Sequence, residues 1–319
     1  MSLANLLSSR LGSSVQKTDA FSGYRFMIRF LPIITLFAAP LAAQQVSQPV
    51  YRVNNQGATA PARGGTTQFD PAVQPVAAQG SKPFDLAERP GEHPLVPFIR
   101  TAKQSMALMD ASIQQYTAVL TKRERVDGQL GDQQQIAVKV RNQPFAIYMR
   151  FITPLAGQEV LYPSAQNPGK LVALAGGWKR RLGPFNLDPE GSMAMSGQRY
   201  PITKAGIRNL TAELIKTAER ETKFAESEVR YSTTAKIDGR PTTMIEITHP
   251  VPRSSFINHI ARVFFDDEYR IPVGYQAFSW PTAQGGKPVL EKQYFYTQLN
   301  VNPGLTPADF DESNPNLFK

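Results

Sequence analysis

From about residue 113 to 300, apolar and polar residues alternate in short runs, the period of a strand with one buried face. Just upstream the apolar residues recur at helical spacing instead. Leu95, Phe98, Ile99, Ala102, Met106 and Met109 form one stripe, which predicts an amphipathic helix over 95–110. Strand patterns follow at 113–126 and 133–141, joined through Asp127-Gly128, a strong hairpin signal. In the next run Phe145, Ile147, Met149 and Phe151 alternate with Ala146, Tyr148, Arg150 and Ile152. Both faces of that strand carry apolar groups, so a cover on each side is expected. Shorter strands are predicted at 158–162, 170–175 and 178–182.

Residues 183–201 break the pattern with Gly183, Pro184, Pro189, Gly191, Gly197 and Pro201. Helical spacing then returns at Ile207, Leu210, Leu214, Ile215 and Ala218, predicting a second helix near 203–223. Strands resume at 227–237, turn at Asp238-Gly239 into 242–248, and continue at 256–265, 271–280 and 289–300. Helices set among consecutive hairpins predict an α+β fold, with one antiparallel sheet and helices against one face, rather than a parallel α/β fold.

The segment from Met27 to Ala43 has a short basic start, an apolar run and small residues before Gln44-Gln45, as a secretory signal peptide does. Residues 1–43 are therefore expected to be removed. Residues 1–26 hold no apolar run, and two readings stay open: Met27 as the true start, or a long n-region. The run 30–43 falls short of the roughly 20 apolar residues that cross a membrane. Residues 44–92, rich in Gln, Pro, Ala, Gly and Thr, have few large apolar groups to offset ordering entropy and are expected to be a disordered linker. The folded domain is then 93–319, starting near His93.

The chain has no cysteine, which excludes a disulfide, a thiolate metal site, a cysteine nucleophile and a lipidated cysteine after the signal. The mature protein is thus expected in the periplasm or another extracytoplasmic space, without a lipid anchor. Of the formal charge of +9, residues 1–43 carry +3 (Arg10, Lys17, Arg25 and Arg29 against Asp19), leaving +6. A soluble basic surface is the plainer reading of that charge. Attraction to anionic head groups is the other, with peripheral membrane contact at most. The export signal and the lack of a reading motif speak against nucleic acid.

His93, His249 and His259, the three histidines, belong to no metal-binding or catalytic spacing, and structural or surface roles are expected for them. Asp266-Asp267-Glu268 and Asp309, Asp311 and Glu312 could in principle pair as acid and base, but the first group falls between two strand patterns, where acidic residues form turns. There is neither a Gly-x-Ser-x-Gly elbow nor a phosphate-binding glycine loop. No enzyme, cofactor or metal is expected, and a hydrolase with an unfamiliar site is the remote alternative. More suggestive is Trp178-Lys179-Arg180-Arg181-Leu182, running on through Met193 and Met195 to Arg199-Tyr200. An aromatic, basic residues, flexible methionines and glycines would suit a flap over an apolar cavity. A long loop with its own small core is the plain reading of the same residues.

Asp266-Asp267-Glu268-Tyr269-Arg270-Ile271-Pro272 resembles the strand–turn–strand of lipoprotein carriers of the LolA/LolB type, as does the closing stretch from Tyr296 to Leu305 with Asp309-Phe310. The stretch from Gly157-Gln158-Glu159-Val160-Leu161-Tyr162 to Arg199-Tyr200-Pro201-Ile202-Thr203 is similar to a bacterial secreted family of unknown function, itself a distant relative of those carriers. This resemblance covers about 93–318. It implies a strongly curved antiparallel sheet, an incomplete barrel whose concave apolar face is covered by helices, and in the carriers that cavity takes acyl chains. The missing lipidation cysteine makes the chain similar to the soluble shuttle, while the linker and the 183–201 loop depart from the compact carrier pattern.

The expected function is a non-catalytic, exported carrier or sensor of a lipid, lipoprotein or other amphiphile, acting as a monomer. The alternative is an interaction module for an envelope protein or polysaccharide, with a filled core. Candidate ligand-binding residues are Met106, Met109, Tyr148, Met149, Trp178, Met193, Met195, Phe264 and Trp280, with Arg180, Arg181 and Arg199 for an anionic head group. Which of two alternating residues faces inward stays open, because a one-residue slip reverses the faces.

Overall fold

The computed structural model describes residues 84–318. The signal segment, both candidate starts and most of the linker lie outside the described residues. Residues 84–92 carry no helix or strand, but Phe84 is buried against the Phe265 ring at 5.4 Å and Arg100 bonds Asp85 at 2.6 Å. Among the described residues, packed chain therefore reaches at least nine residues ahead of the expected boundary at His93.

The first helix, α1 (Val96–Ser112), starts with a proline in its first turn, where no backbone donor is lost. Its stripe of Phe98, Ile99, Ala102 and Met109 is buried as the spacing predicts. The strands are β1 (Gln115–Val126), β2 (Gln129–Leu130), β3 (Gln134–Arg141), β4 (Ala146–Thr153), β5 (Glu159–Tyr162), β6 (Leu171–Leu174) and β7 (Phe185–Leu187). Helices α2 (Ser192–Met195) and α3 (Ile207–Glu221) come next, before β8 (Glu228–Ile237), β9 (Arg240–Thr248), β10 (Ile260–Asp266), β11 (Pro272–Ser279) and β12 (Val289–Val301). Both Asp-Gly pairs turn hairpins as expected. Asp127 and Gly128 have φ of 49° and 77°, and Asp238 and Gly239 have 54° and 75°, the positive pair a two-residue turn of this hand requires.

All the pairings are antiparallel, in the order β7-β6-β5-β4-β3-β1-β12-β11-β10-β9-β8, with β2 paired to the end of β1. This is chain order made circular through the β1–β12 pair, as in an up-and-down barrel. The circle stays open between β7 and β8, which do not pair among the described residues. The segment 188–227, carrying α2 and α3, bridges that gap in sequence. A flat sheet would hold β7 and β11 roughly 34 Å apart at about 4.8 Å per strand. Leu187 of β7 and Tyr275 of β11 nonetheless line one cavity, so the sheet is strongly curled.

Helices α1 and α3 cover the concave face over β9–β11. There Phe98, Ile99, Leu214 and Ala218 pack with Ile245, Val263, Phe265 and Tyr275. Ion pairs Lys103–Glu219 at 2.6 Å and Arg208–Asp110 at 2.6 Å join the two helices. On the convex side the C-terminal stretch lays Phe310 and Leu317 over Ala146, Tyr148, Leu161 and Val172. This covers β4 on its second face, as its double apolar pattern predicts. The acidic groups that could have paired for catalysis hold turns and tail instead. Asp266 takes Arg240 at 2.6 Å, Asp309 takes Lys139 at 2.6 Å, and Glu312 accepts from Ser164 at 2.6 Å.

Two expected strands are corrected. Residues 178–182 form a 3-10 turn (Gly177–Leu182), bounded by Gly177 and Gly183 at φ of 62° and 77°. Arg180 ties that turn to the Gly157 carbonyl at 2.6 Å and to Glu159 at 2.8 Å. The expected strand at 256–265 begins only at Ile260, after a turn in which the Phe256 N–H bonds the Arg253 carbonyl at 3.1 Å.

Candidate functional site

Where α1 and α3 leave the concave face uncovered, a cavity of about 800 Å³ opens, with more apolar than polar lining. Register builds its floor. Across the β1–β12 pair Leu120 faces Tyr296, Lys122 faces Tyr294 and Glu124 faces Lys292, and all six line the cavity. Ile136 of β3 and its partner Phe151 of β4 extend this surface, with Met149 and Val160 beside them. Leu171 and Ala173 of β6 and Leu187 of β7 carry it to the sheet edge. The roof is Leu210 and Leu214 of α3 together with the segment from Pro189 to Gly206, including Met193, Tyr200 and Ile202. The start of α3 is fixed over β1 by the Tyr116 hydroxyl, which accepts the Ile207 N–H at 2.9 Å.

One end of this apolar space is polar and closely bonded. Glu124, almost fully buried, accepts from Lys122 Nζ at 3.1 Å, from the Arg199 backbone N–H at 3.0 Å and from the Tyr294 hydroxyl. Lys122 also donates to Gln198. Lys292, equally buried, donates to the Tyr200 hydroxyl at 2.5 Å and lies over the Tyr200 and Tyr275 rings at 4.8 and 5.6 Å. Asn258 donates to the Tyr275 hydroxyl at 3.4 Å. Burial, and for Tyr294 the neighbouring Glu124 charge, pushes the Tyr275 and Tyr294 hydroxyls well above the usual phenol range, so both remain proton donors. Glu213, at the α3 wall, is held below the usual carboxylate range by its bond with Lys204 at 2.9 Å.

Of the residues expected to bind a ligand, only Met149 and Met193 line this cavity. Met193 is 70% exposed on the covering segment. On α1, Met109 is buried within the main core and Met106 packs against it. Tyr148 lies on the convex face, its hydroxyl bonded to Glu159 at 2.5 Å, and Phe264 is turned away from the cavity against Phe295 at 5.5 Å. Trp178 is 75% exposed on the 3-10 turn, and Arg181 is exposed beside it. Met195 is half-buried outside the lining, and Trp280 rests near the His259 ring at 5.5 Å. Arg180 is engaged by Glu159, and Arg199 by Glu291 at 3.0 Å.

The polar end of the cavity was not singled out by the sequence pattern, although a signal for it exists. Lys122 and Glu124 continue the inward face of β1 beyond Leu120, and Lys292 leads the inward Tyr294 and Tyr296 of β12. Charged groups on the face that alternation buries are uncommon and point to a site. No group of His, Asp or Glu among the described residues could hold a metal ion, and no helix among them is long and apolar enough to cross a membrane. The histidines lie elsewhere: His93 meets the Phe224 carbonyl at 2.8 Å, and His249 and His259 meet the Asn258 and His249 carbonyls at 2.9 Å.

A family model described as "Protein of unknown function (DUF1571)" matches residues 113–318. No curated protein matches the chain. Similar solved structures include the Mycobacterium tuberculosis lipoprotein LppX, at 15% identity and a TM-score of 0.37, covering 64% of this chain and 96% of that one. A LolA superfamily protein from Nitrosomonas europaea is similar at 10% identity and a TM-score of 0.27, covering 66% and 98%. A DUF1329 family protein from Desulfovibrio piger is similar at 10% identity and a TM-score of 0.34, covering 70% and 99%.

Proposed function

The chain belongs to the DUF1571 family, and on that footing we propose that it is a non-catalytic binding protein for a lipid, an acylated protein or another amphiphile in the cell envelope. The observation that carries this reading is the open cavity of about 800 Å³ on the concave face, apolar along β3–β7 and polar at the Lys292 end. Pockets of this volume suit a single small ligand. Each methylene buried there contributes about 0.8 kcal/mol, so even a partly covered acyl chain would be held firmly. Export through the segment 27–43 gives such a carrier access to envelope lipids, with a lipid or acylated protein as cargo and an envelope protein as a second partner. An interaction module would need a filled interior, and the space under α3 and the 189–206 segment favours the carrier.

Titration of the delipidated protein with an environment-sensitive fluorescent fatty acid tests the reading. Saturable, one-to-one enhancement that unlabelled amphiphiles displace is expected. No enhancement at micromolar protein would overturn it.

A further inference from the structure

We propose that Lys292 and the Tyr275 hydroxyl form the recognition site for an anionic head group, a carboxylate or a phosphate, so that the cavity selects anionic over neutral amphiphiles; this deepens the binding function proposed above and rests on it. Lys292 is 7% exposed and its side chain lines the cavity. A lysine ammonium has three protons to donate, and here one acceptor, the Tyr200 hydroxyl at 2.5 Å, takes its bond. No ion pair joins it to a carboxylate among the described residues; Glu213 on the α3 wall feels its charge but is bonded to Lys204 at 2.9 Å. Its in-register neighbour Glu124 is already occupied by Lys122, Tyr294 and the Arg199 backbone.

A buried cation with no carboxylate bonded to it is costly unless an anion completes it. The faces of Tyr200 and Tyr275 supply only part of that compensation. Tyr275 accepts from Asn258 and keeps its own proton to give. Lys292 and Tyr275 can therefore each donate to one oxygen of a carboxylate or phosphate. From that point the floor runs through Tyr294 and Tyr296 to Leu120, Ile136 and Phe151, where an acyl tail would lie.

Calorimetric titration of the delipidated full protein with palmitate, 1-palmitoyl lysophosphatidic acid and neutral 1-palmitoylglycerol, each below its aggregation concentration, tests the assignment. The wild type should bind at least one anionic probe tenfold or more tightly than the neutral one, and the tighter of the two identifies carboxylate or phosphate. K292Q should lose that preference, its affinity for the anionic probes falling to within about threefold of its affinity for 1-palmitoylglycerol. Y275F, which removes only a hydroxyl, should lower it by a smaller factor. Equal affinity for all three probes in the wild type, or an undiminished preference in K292Q, would overturn the assignment while leaving the cavity reading intact. Failure of all three to bind the wild type would remove both.

Discussion

Glu124 and Lys292 stand opposite each other across the β1–β12 pair, both 7% exposed, yet each takes a different partner. Glu124 is the common acceptor for Lys122, Tyr294 and the Arg199 backbone, and so ties the covering segment to the sheet. Replacing it with alanine leaves the Tyr294 hydroxyl without its acceptor and the largely buried Lys122 ammonium with Gln198 alone. E124A should lower stability by about 3–5 kcal/mol. E124Q, whose amide oxygen still accepts, should cost less. Urea denaturation of both variants checks the order.

On the opposite face, Gly274 sits between Phe264 and Phe295 in one cross-strand row. A Cβ at Gly274 would come within 2.7 Å of the Phe295 ring and 3.0 Å of Phe264. G274A should therefore destabilise by about 1–3 kcal/mol through overpacking. Because the row faces away from the cavity, amphiphile affinity should stay within twofold of wild type. A lowered unfolding midpoint with unchanged affinity is the expected pair of results.

Ala173 of β6 lines the apolar end of the cavity and is only half-buried. A173W would project an indole into the space an acyl chain needs, at little cost to packing. Affinity for a fluorescent fatty acid should fall at least tenfold, with the unfolding free energy changed by less than about 1 kcal/mol. Retained affinity would place the ligand elsewhere.

Glu221 and His249 are buried together at the end of α3, with His249 Nε2 at 3.5 Å from the carboxylate and its ring stacked on Phe256 at 4.0 Å. Burial pushes the Glu221 carboxyl up to about 7 from its ordinary 4.5 and pushes the His249 imidazole down. Between pH 4.5 and 7 the folded Glu221 holds more proton than the unfolded chain does, so its contribution to stability declines as pH rises through that window. His249 acts in the opposite sense, since unfolding lets it take up a proton as pH falls through about 6.5. E221Q removes the first effect alone. It should be more stable than wild type at pH 8, with the gap shrinking toward pH 5, as urea midpoints at the two values would show.

The sheet was legible because its strands alternate cleanly. Ile136, Val138 and Val140 share one buried face, and Ile147, Met149 and Phe151 meet them across the β3–β4 register. The open barrel with helices on its concave face agrees with the expected fold. Side-chain direction was less legible. Phe264 points away from the cavity because β10 pairs it with Gly274, while Val263 and Tyr275 take the inward face. Arg180 and Arg199 look like free head-group ligands in sequence, but carboxylates distant along the chain, Glu159 and Glu291, occupy them. The polar end of the cavity depends on register between β1 and β12, about 170 residues apart, which local spacing does not encode.

The most direct test of the amphiphile reading is mass spectrometry of an organic extract from protein exported to a bacterial periplasm and purified without detergent. One lipid or acylated species at near-stoichiometric amount is expected, lost in A173W. An extract free of lipid, from protein that also takes none up from vesicles, would contradict it.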